Sequence, residues 1–304
     1  MLVFMLVFFL AAASWALSHS SATDARNRAG RTTADTMSLA KEALIGRAAS
    51  DNNRPGSLPC PDLNDDGVAE LFSGSVCPGY LGRLPWKTLD LPELRDAQGE
   101  HLWYALAPKL RDDDSAQPIN HQQTLELSLE GTANIAAIVL SPGAPLATQG
   151  ARPSNTASSY LEGSNSNGDY AFVTGAATDL FNDEALALSR DDVFRAVNQR
   201  VLGEIRGPDD NALGAPTYGL RRYYANNAMF PWADSNGDGF ADPGENSGSI
   251  PYKDLTMSTA TLDWLTKNGW IALIGYQRTN ASSVAISLGS SQMTVIPCQH
   301  SPCP

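Results

Sequence analysis

The first fifty residues contain no proline and only two glycines, Gly30 and Gly46, and they open with an uncharged run from Met1 to Leu17. A helix over that whole stretch far exceeds the roughly three turns of an average globular helix. Its apolar start alone, at about 1.5 Å per residue, reaches about 26 Å, close to the hydrocarbon thickness of a bilayer. One small core cannot bury such an element, so the chain is expected to divide. Residues 1–20 are expected to form a hydrophobic membrane anchor, 21–50 the continuation of the same helix, and 51–304 a globular domain. Met37, Leu39, Leu44 and Ile45 supply the apolar positions of the continuation. The competing reading is a cleaved secretory signal. Ala11-Ala12-Ala13-Ser14 matches a cleavage site only loosely and no Lys or Arg precedes Arg26, so retention is favoured.

Charge and cysteine usage point to opposite compartments for the segment beyond the anchor. Arg26, Arg28 and Arg31 would by themselves favour the cytoplasm. The four cysteines are even in number and clustered in two local pairs, Cys60 with Cys77 and Cys298 with Cys303, which suggests two local disulfides in an oxidising space. A four-thiolate zinc site would prefer C-x2-C knuckles, and these spacings lack them. The domain is therefore expected on the oxidising side of the membrane.

Asp234-Ser235-Asn236-Gly237-Asp238-Gly239-Phe240-Ala241-Asp242-Pro243-Gly244-Glu245 carries oxygen donors at positions 1, 3, 5, 9 and 12 of a twelve-residue loop. The side chains of Asp234, Asn236, Asp238, Asp242 and Glu245, with the Phe240 carbonyl, form the donor set a Ca2+ ion takes, and a glycine at position 6 permits the sharp turn. Phe230-Pro231-Trp232 before it and Pro243, Gly244, Asn246 and Gly248 after it are turn chemistry, not flanking helices. The loop is thus expected to pin an irregular segment, unlike a sensor that opens a helix pair. A shorter version, with Asp62, Asn64, Asp66, the Val68 carbonyl and Glu70, starts the same way, but its position 12 is Ser73. An Asx-rich turn that satisfies its own backbone is the rival reading there.

Elsewhere His101–Leu106, Thr124–Leu129 and Ala133–Leu140 read as strands, and the Pro-, Gly- and Ser-rich residues 141–169 as a long loop. Ser189 reads as the N-cap of a helix over Arg190–Arg206, with Val193, Phe194, Val197, Val201, Leu202 and Ile205 in one stripe. Ala260–Asn268 reads as a helix stopped by Gly269, followed by strands at Trp270–Arg278 and Val284–Val295, the latter broken at Gly289. Helices and strands mix without βαβ alternation, so the class is α+β with an antiparallel sheet.

The net charge of −12 excludes nucleic acid and anionic lipid as principal partners, since both need a basic footprint. No G-x-S-x-G elbow, H-E-x-x-H, phosphate loop or dinucleotide fingerprint occurs. Ser38-Leu39-Ala40-Lys41 matches S-x-x-K without a K-T-G companion, and His19, His101, His121 and His300 are scattered. No catalytic residues are expected.

The apolar start running into a long helix, ahead of a disulfide- and calcium-pinned α+β domain, resembles the type IV pilins and the pseudopilins of type II secretion. Leu94-Arg95-Asp96-Ala97-Gln98-Gly99-Glu100-His101-Leu102-Trp103-Tyr104 is similar to the strand-start segment of the major pseudopilins. Lys41–Gly46, Leu58–Asp62 and Gly82-Arg83-Leu84-Pro85-Trp86 are similar to bacterial prepilin-like proteins. The resemblance implies a non-enzymatic, inner-membrane subunit of an extracytoplasmic filament, with other pilin-like subunits and inner-membrane assembly proteins as partners. Met5 stands where pilins carry Glu, which the resemblance associates with a minor subunit at a filament tip. Two other readings remain: a calcium-dependent adhesin or carbohydrate-binding protein using Trp232, Tyr223 and Tyr224, and a membrane-tethered calcium-dependent hydrolase.

Overall fold

The computed structural model describes residues 2–113, 118–209, 216–299 and 303, with side chains from residue 23 onward. A single helix, α1 (Leu2–Ser50), leads into the domain. Thr33, Met37, Ala40, Leu44 and Ala48 are its buried residues, spaced three and four apart on one face. Each large apolar side chain on that face contributes roughly 1.5–3 kcal/mol by leaving water. Residues 23–28 and 30–32 are exposed, with Arg26 and Gly30 at the rim of a cleft against the domain. Leu39, expected among the apolar positions, is exposed at 46% and faces away from the core. The anchor expected over residues 1–20 lies outside the residues whose side chains are described. Among the described residues no helix is long and apolar enough to cross a membrane.

The core is one continuous cluster built on two sheets. The larger contains β1 (Leu81–Arg83), β2 (Trp103–Leu106), β4 (Thr132–Ser141), β3 (Leu127–Leu129) and β5 (Ala171–Phe172) in that spatial order, with β6 (Glu184–Ser189) also paired to β4. Its pairs are antiparallel except β3 with β5, which run parallel, so this sheet is mixed and not purely antiparallel as expected. The parallel pair exists because the long 141–169 segment carries the chain back across the sheet before β5. The smaller sheet is antiparallel throughout, in the order β10 (Ser291–Val295), β9 (Ser283–Leu288), β8 (Gly275–Asn280), β7 (Ser247–Ser249).

Helix α2 (Arg190–Arg206) lies between α1 and both sheets. Its six predicted stripe residues are all buried, with Asn198 among them donating to the Leu288 carbonyl. Ser189 caps it as expected and forms a reciprocal box with Asp192. α4 (Thr259–Lys267) ends before Gly269, whose φ of 70° is the left-handed stop the glycine permits. β6, β1, β7 and α3 (Gly219–Asn227) were not anticipated. The segment 270–278 is extended only from Gly275, because Trp270–Leu273 form a 3₁₀ turn that buries the Trp270 ring. Likewise only the end of Thr124–Leu129 is a strand.

Both expected disulfides are formed, Cys60–Cys77 and Cys298–Cys303.

Candidate functional site

The Asp234 carboxylate, only 3% exposed, is the centre of the longer loop. It accepts from the backbone N–H of Gly237 at 2.6 Å and of Gly239 at 2.8 Å. Asn236 Oδ1 accepts from Asp238 N and Asp238 Oδ1 from Phe240 N, both at 2.8 Å. These Asx bonds turn positions 1, 3 and 5 over the same stretch of backbone, an arrangement that loops coordinating hard cations share. Gly239 has φ of 91°, and a Cβ there would lie 2.7 Å from the Tyr252 ring.

Positions 9 and 12 behave differently from the sequence expectation. Asp242 turns back on the loop, accepting from Ser235 N and Oγ and from Asn236 N and Nδ2. Those bonds, the Ser235 hydroxyl first, hold its carboxyl below the usual range. Glu245 is exposed, and its backbone rather than its carboxylate closes the loop, through Asp242 O and Ala233 N. Among the described residues no three His, Cys, Asp or Glu side chains gather as a metal-holding group. Asn236 and the Phe240 carbonyl are not donors of that kind. Asp234, Asn236 and Asp238, at positions 1, 3 and 5, carry oxygen donors of the type a calcium ion takes, while Glu245 at position 12 is exposed.

The shorter loop repeats the main Asx bonds of the longer one. Asp62, 1% exposed, accepts from Asp65 N at 2.7 Å and from Gly67 N at 2.6 Å. Asn64 Oδ1 takes Asp66 N at 3.0 Å, and Asp66 Oδ1 takes Val68 N at 2.8 Å. Glu70 at position 9 accepts from Leu63 N just as Asp242 accepts from Ser235 N.

The likeness extends to what holds each loop. Asp62 pairs with Arg83 through both backbone groups, and Asp234 with Ser249 in the same way. Four residues beyond each partner a lysine follows. Lys87 donates its backbone N–H to Gly67 O and its ammonium to Asp66 O; Lys253 does so to Gly239 O and Asp238 O. Position 8 donates to Thr88 Oγ1 in one loop, at Ala69, and to Asp254 Oδ2 in the other, at Ala241. A buried tyrosine on the neighbouring strand closes each unit, Tyr104 on the Pro59 carbonyl and Tyr276 on the Pro231 carbonyl. Even the strand register agrees, Gly82 opposite Tyr104 and Gly248 opposite Tyr276. The sheet elements β1–β2–β4 and β7–β8–β9 are therefore two copies of one local design.

The sequence signal for this was present in Gly82-Arg83-Leu84-Pro85-Trp86-Lys87 and Gly248-Ser249-Ile250-Pro251-Tyr252-Lys253. The copies differ in the connection before that segment. In the first it is longer, is held by Cys60–Cys77, and carries the exposed Leu71 and Phe72.

Other sequence candidates fall elsewhere. Lys41 of the S-x-x-K segment pairs with Asp192 at 2.9 Å and caps the Ala187 carbonyl, while Ser38 is exposed. His101 lies between Asp65 and Glu93, 2.6 Å from each. His121 packs near Trp270, and burial pushes its imidazole below the ordinary value. The His19 side chain and His300 lie outside the described residues. The Trp232 ring is covered by the Arg278 guanidinium, 3.9 Å from its centroid, and Tyr224 stacks on Phe230. Comparison with known protein families, curated proteins and solved structures finds no match to this chain.

Proposed function

We propose that the chain is a non-enzymatic pilin- or pseudopilin-like subunit, anchored in a bacterial inner membrane by its N-terminal helix, with its domain in the periplasm. The observation that carries this reading is the division of α1. Its last turns are fastened to the domain through Met37, Ala40, Leu44 and Ala48, whereas residues 23–28 and 30–32 are exposed. A stalk helix that emerges unsupported is stable only when something else covers it, and sister helices in a bundle would do so. Two disulfides suit the oxidising side of that membrane.

Calcium is the ligand proposed for the loops, held by Asp234, Asn236, Asp238 and the Phe240 carbonyl in one and by Asp62, Asn64, Asp66 and the Val68 carbonyl in the other. A bound ion would neutralise the carboxylates of Asp234 and Asp238 in one loop and of Asp62 and Asp66 in the other. Arg278 covers one face of the Trp232 ring, which leaves less of it for the sugar stacking that the adhesin reading requires.

Fractionation of cells producing the full chain tests the reading. The protein should stay with inner membranes through an alkaline wash and become protease-sensitive only when the outer membrane is opened. Recovery as a soluble protein, or protection inside the cytoplasm, would overturn it.

A further inference from the structure

Glu162 and Asp183 are two carboxyl groups in one buried site, 7% and 0% exposed. Glu162 accepts from the Gln149 side-chain amide and from the backbone N–H groups of Asn182 at 2.9 Å and Asp183 at 3.2 Å. Asp183 Oδ2 accepts from Glu162 N and Asn165 Nδ2, both at 2.9 Å. Of the pair's own oxygens, one is left over. Asp183 Oδ1 is fully buried, without a hydrogen-bond partner, and its carboxyl meets the Glu162 side chain.

Two ionised carboxylates in contact, away from water, repel each other strongly unless a cation or a proton lies between them. The nearest basic group is Arg152, but its guanidinium is engaged by Glu100, the Gly143 carbonyl and Gln149, and it reaches Glu162 only through the Gln149 amide. Around the pair stand the acids Glu184, next along the chain, and Asp96, whose charge adds to the burial that raises Glu184, and the base Arg26, which shares a cleft with them and with Asn182. Every remaining oxygen of the pair faces N–H donors, which favour negative charge and disfavour a metal ion. A proton is the species the site lacks.

We propose that Glu162 and Asp183 share one proton, carried on Asp183 Oδ1 and donated to the Glu162 carboxylate, and that losing it loosens the segment 142–183 from the start of β6. The cross-ties run through this pair. Gln149, Glu162, Asn165 and Asp183 are joined in one network, and Asn165 also bonds Val173 through both backbone groups. Asn182, bonded to Glu162 and to the Ala144 carbonyl, lines a cleft of about 320 Å³ between this segment and α1, with Arg26, Thr33, Asp96 and Glu184 among the other lining residues. The device therefore couples external pH to the surface beside α1.

The sign follows from burial, which together with the charge of Glu162 pushes the Asp183 carboxyl from 3.8 up to about 7. The folded state holds the proton more tightly than the unfolded chain does. The contribution is thus fully present below the unfolded value and is lost as pH rises through about 7.

Infrared difference spectroscopy of the full chain, titrated from about pH 5 to about pH 8.5 across that window, tests the proposal. A protonated-carboxyl carbonyl band is expected at the acid end, lost on raising pH and missing from Asp183→Asn. Amide hydrogen exchange within 142–183, corrected for the intrinsic effect of pH, is expected to rise about tenfold over the same range in the wild type. It should stay slow in Asp183→Asn, whose amide donates to Glu162 permanently. Absence of the band in the wild type at acid pH overturns the proposal even if the variant does not fold. So does removal of the band by calcium chloride at acid pH, which would make the site a cation site.

Discussion

Gly82 and Gly248 set how closely each Asx loop lies on its strand. A Cβ at Gly248 would stand 2.4 Å from the Asp234 backbone oxygen, and one at Gly82 would stand 2.6 Å from that of Asp62. Backbone cannot step aside as a side-chain tip can, so Gly248→Ala is expected to cost about 1–3 kcal/mol by urea denaturation. Gly237→Ala is the control: unlike Gly248 it has positive φ, 80°, but it opens onto empty space, and should cost only about 1 kcal/mol. Equal losses would mean that the close approach is not what the glycine serves. At this scale the sequence was legible where one residue type has one local job. Asp234, Asn236, Asp238 and Gly239 stand in the expected turn, because Asx bonds reach only two or three residues. Glu245 was not legible: whether a side chain at position 12 turns in depends on what surrounds the loop. Lys87 and Lys253 were missed for the same reason, since each acts on a carbonyl far back along the chain.

Among the elements, α2 shows how caps and stripe together define a helix. Ser189 Oγ accepts from Asp192 N at 3.0 Å, and Asp192 accepts from Ser189 N in return. Replacing Ser189 by Ala should lower stability by about 1 kcal/mol in chemical denaturation. Burial pulls the Asp192 carboxyl up, but bonds from Lys41 and Ser189 outweigh it and hold it below the usual range. Its folded value lies below the unfolded one, so this stabilisation is present at neutral pH and is lost as pH falls through the ordinary carboxylate range. Acid titration of Lys41→Met should show a shallower loss than the wild type; an unchanged slope would remove Lys41 from the account. α2 was readable to the residue because six apolar positions keep the 3.6 period between a capping serine and a glycine stop. Short strands such as β1, β5 and β7 carry too few residues for an alternation to register. Their partners in the sheet, which the sequence does not print, make them strands.

The whole molecule joins a stalk to two copies of one loop-and-strand unit through a single core. The pairing of Cys60 with Cys77 holds the longer connection of the first copy, which the second copy manages without. Removing it by Cys60→Ala with Cys77→Ala should cost about 3 kcal/mol by the chain-entropy argument for a loop of this length. The terminal pair, Cys298–Cys303, closes a much shorter loop and should contribute less. If calcium occupies the loops at about a hundredfold excess over its dissociation constant, chelation should remove about 2.7 kcal/mol per site, read as a fall in Tm. Unchanged melting with and without chelator would return both loops to plain Asx turns. The duplication escaped notice along the chain because its halves lie far apart and are spaced differently, and only shared register and hydrogen bonds make them equivalent. The long helix ending at Ser50 was legible, because a proline-free stretch that stops at Pro55 and Pro59 needs no tertiary information. The central claim is that this stalk serves a pilin-like subunit, and mass spectrometry of the N-terminal peptide from native membranes, without reduction, tests it most directly. The account predicts a trimmed and methylated residue at the head of the apolar run, still attached to the disulfide-bonded domain. Cleavage near Ala13 that frees the domain from the membrane would contradict it.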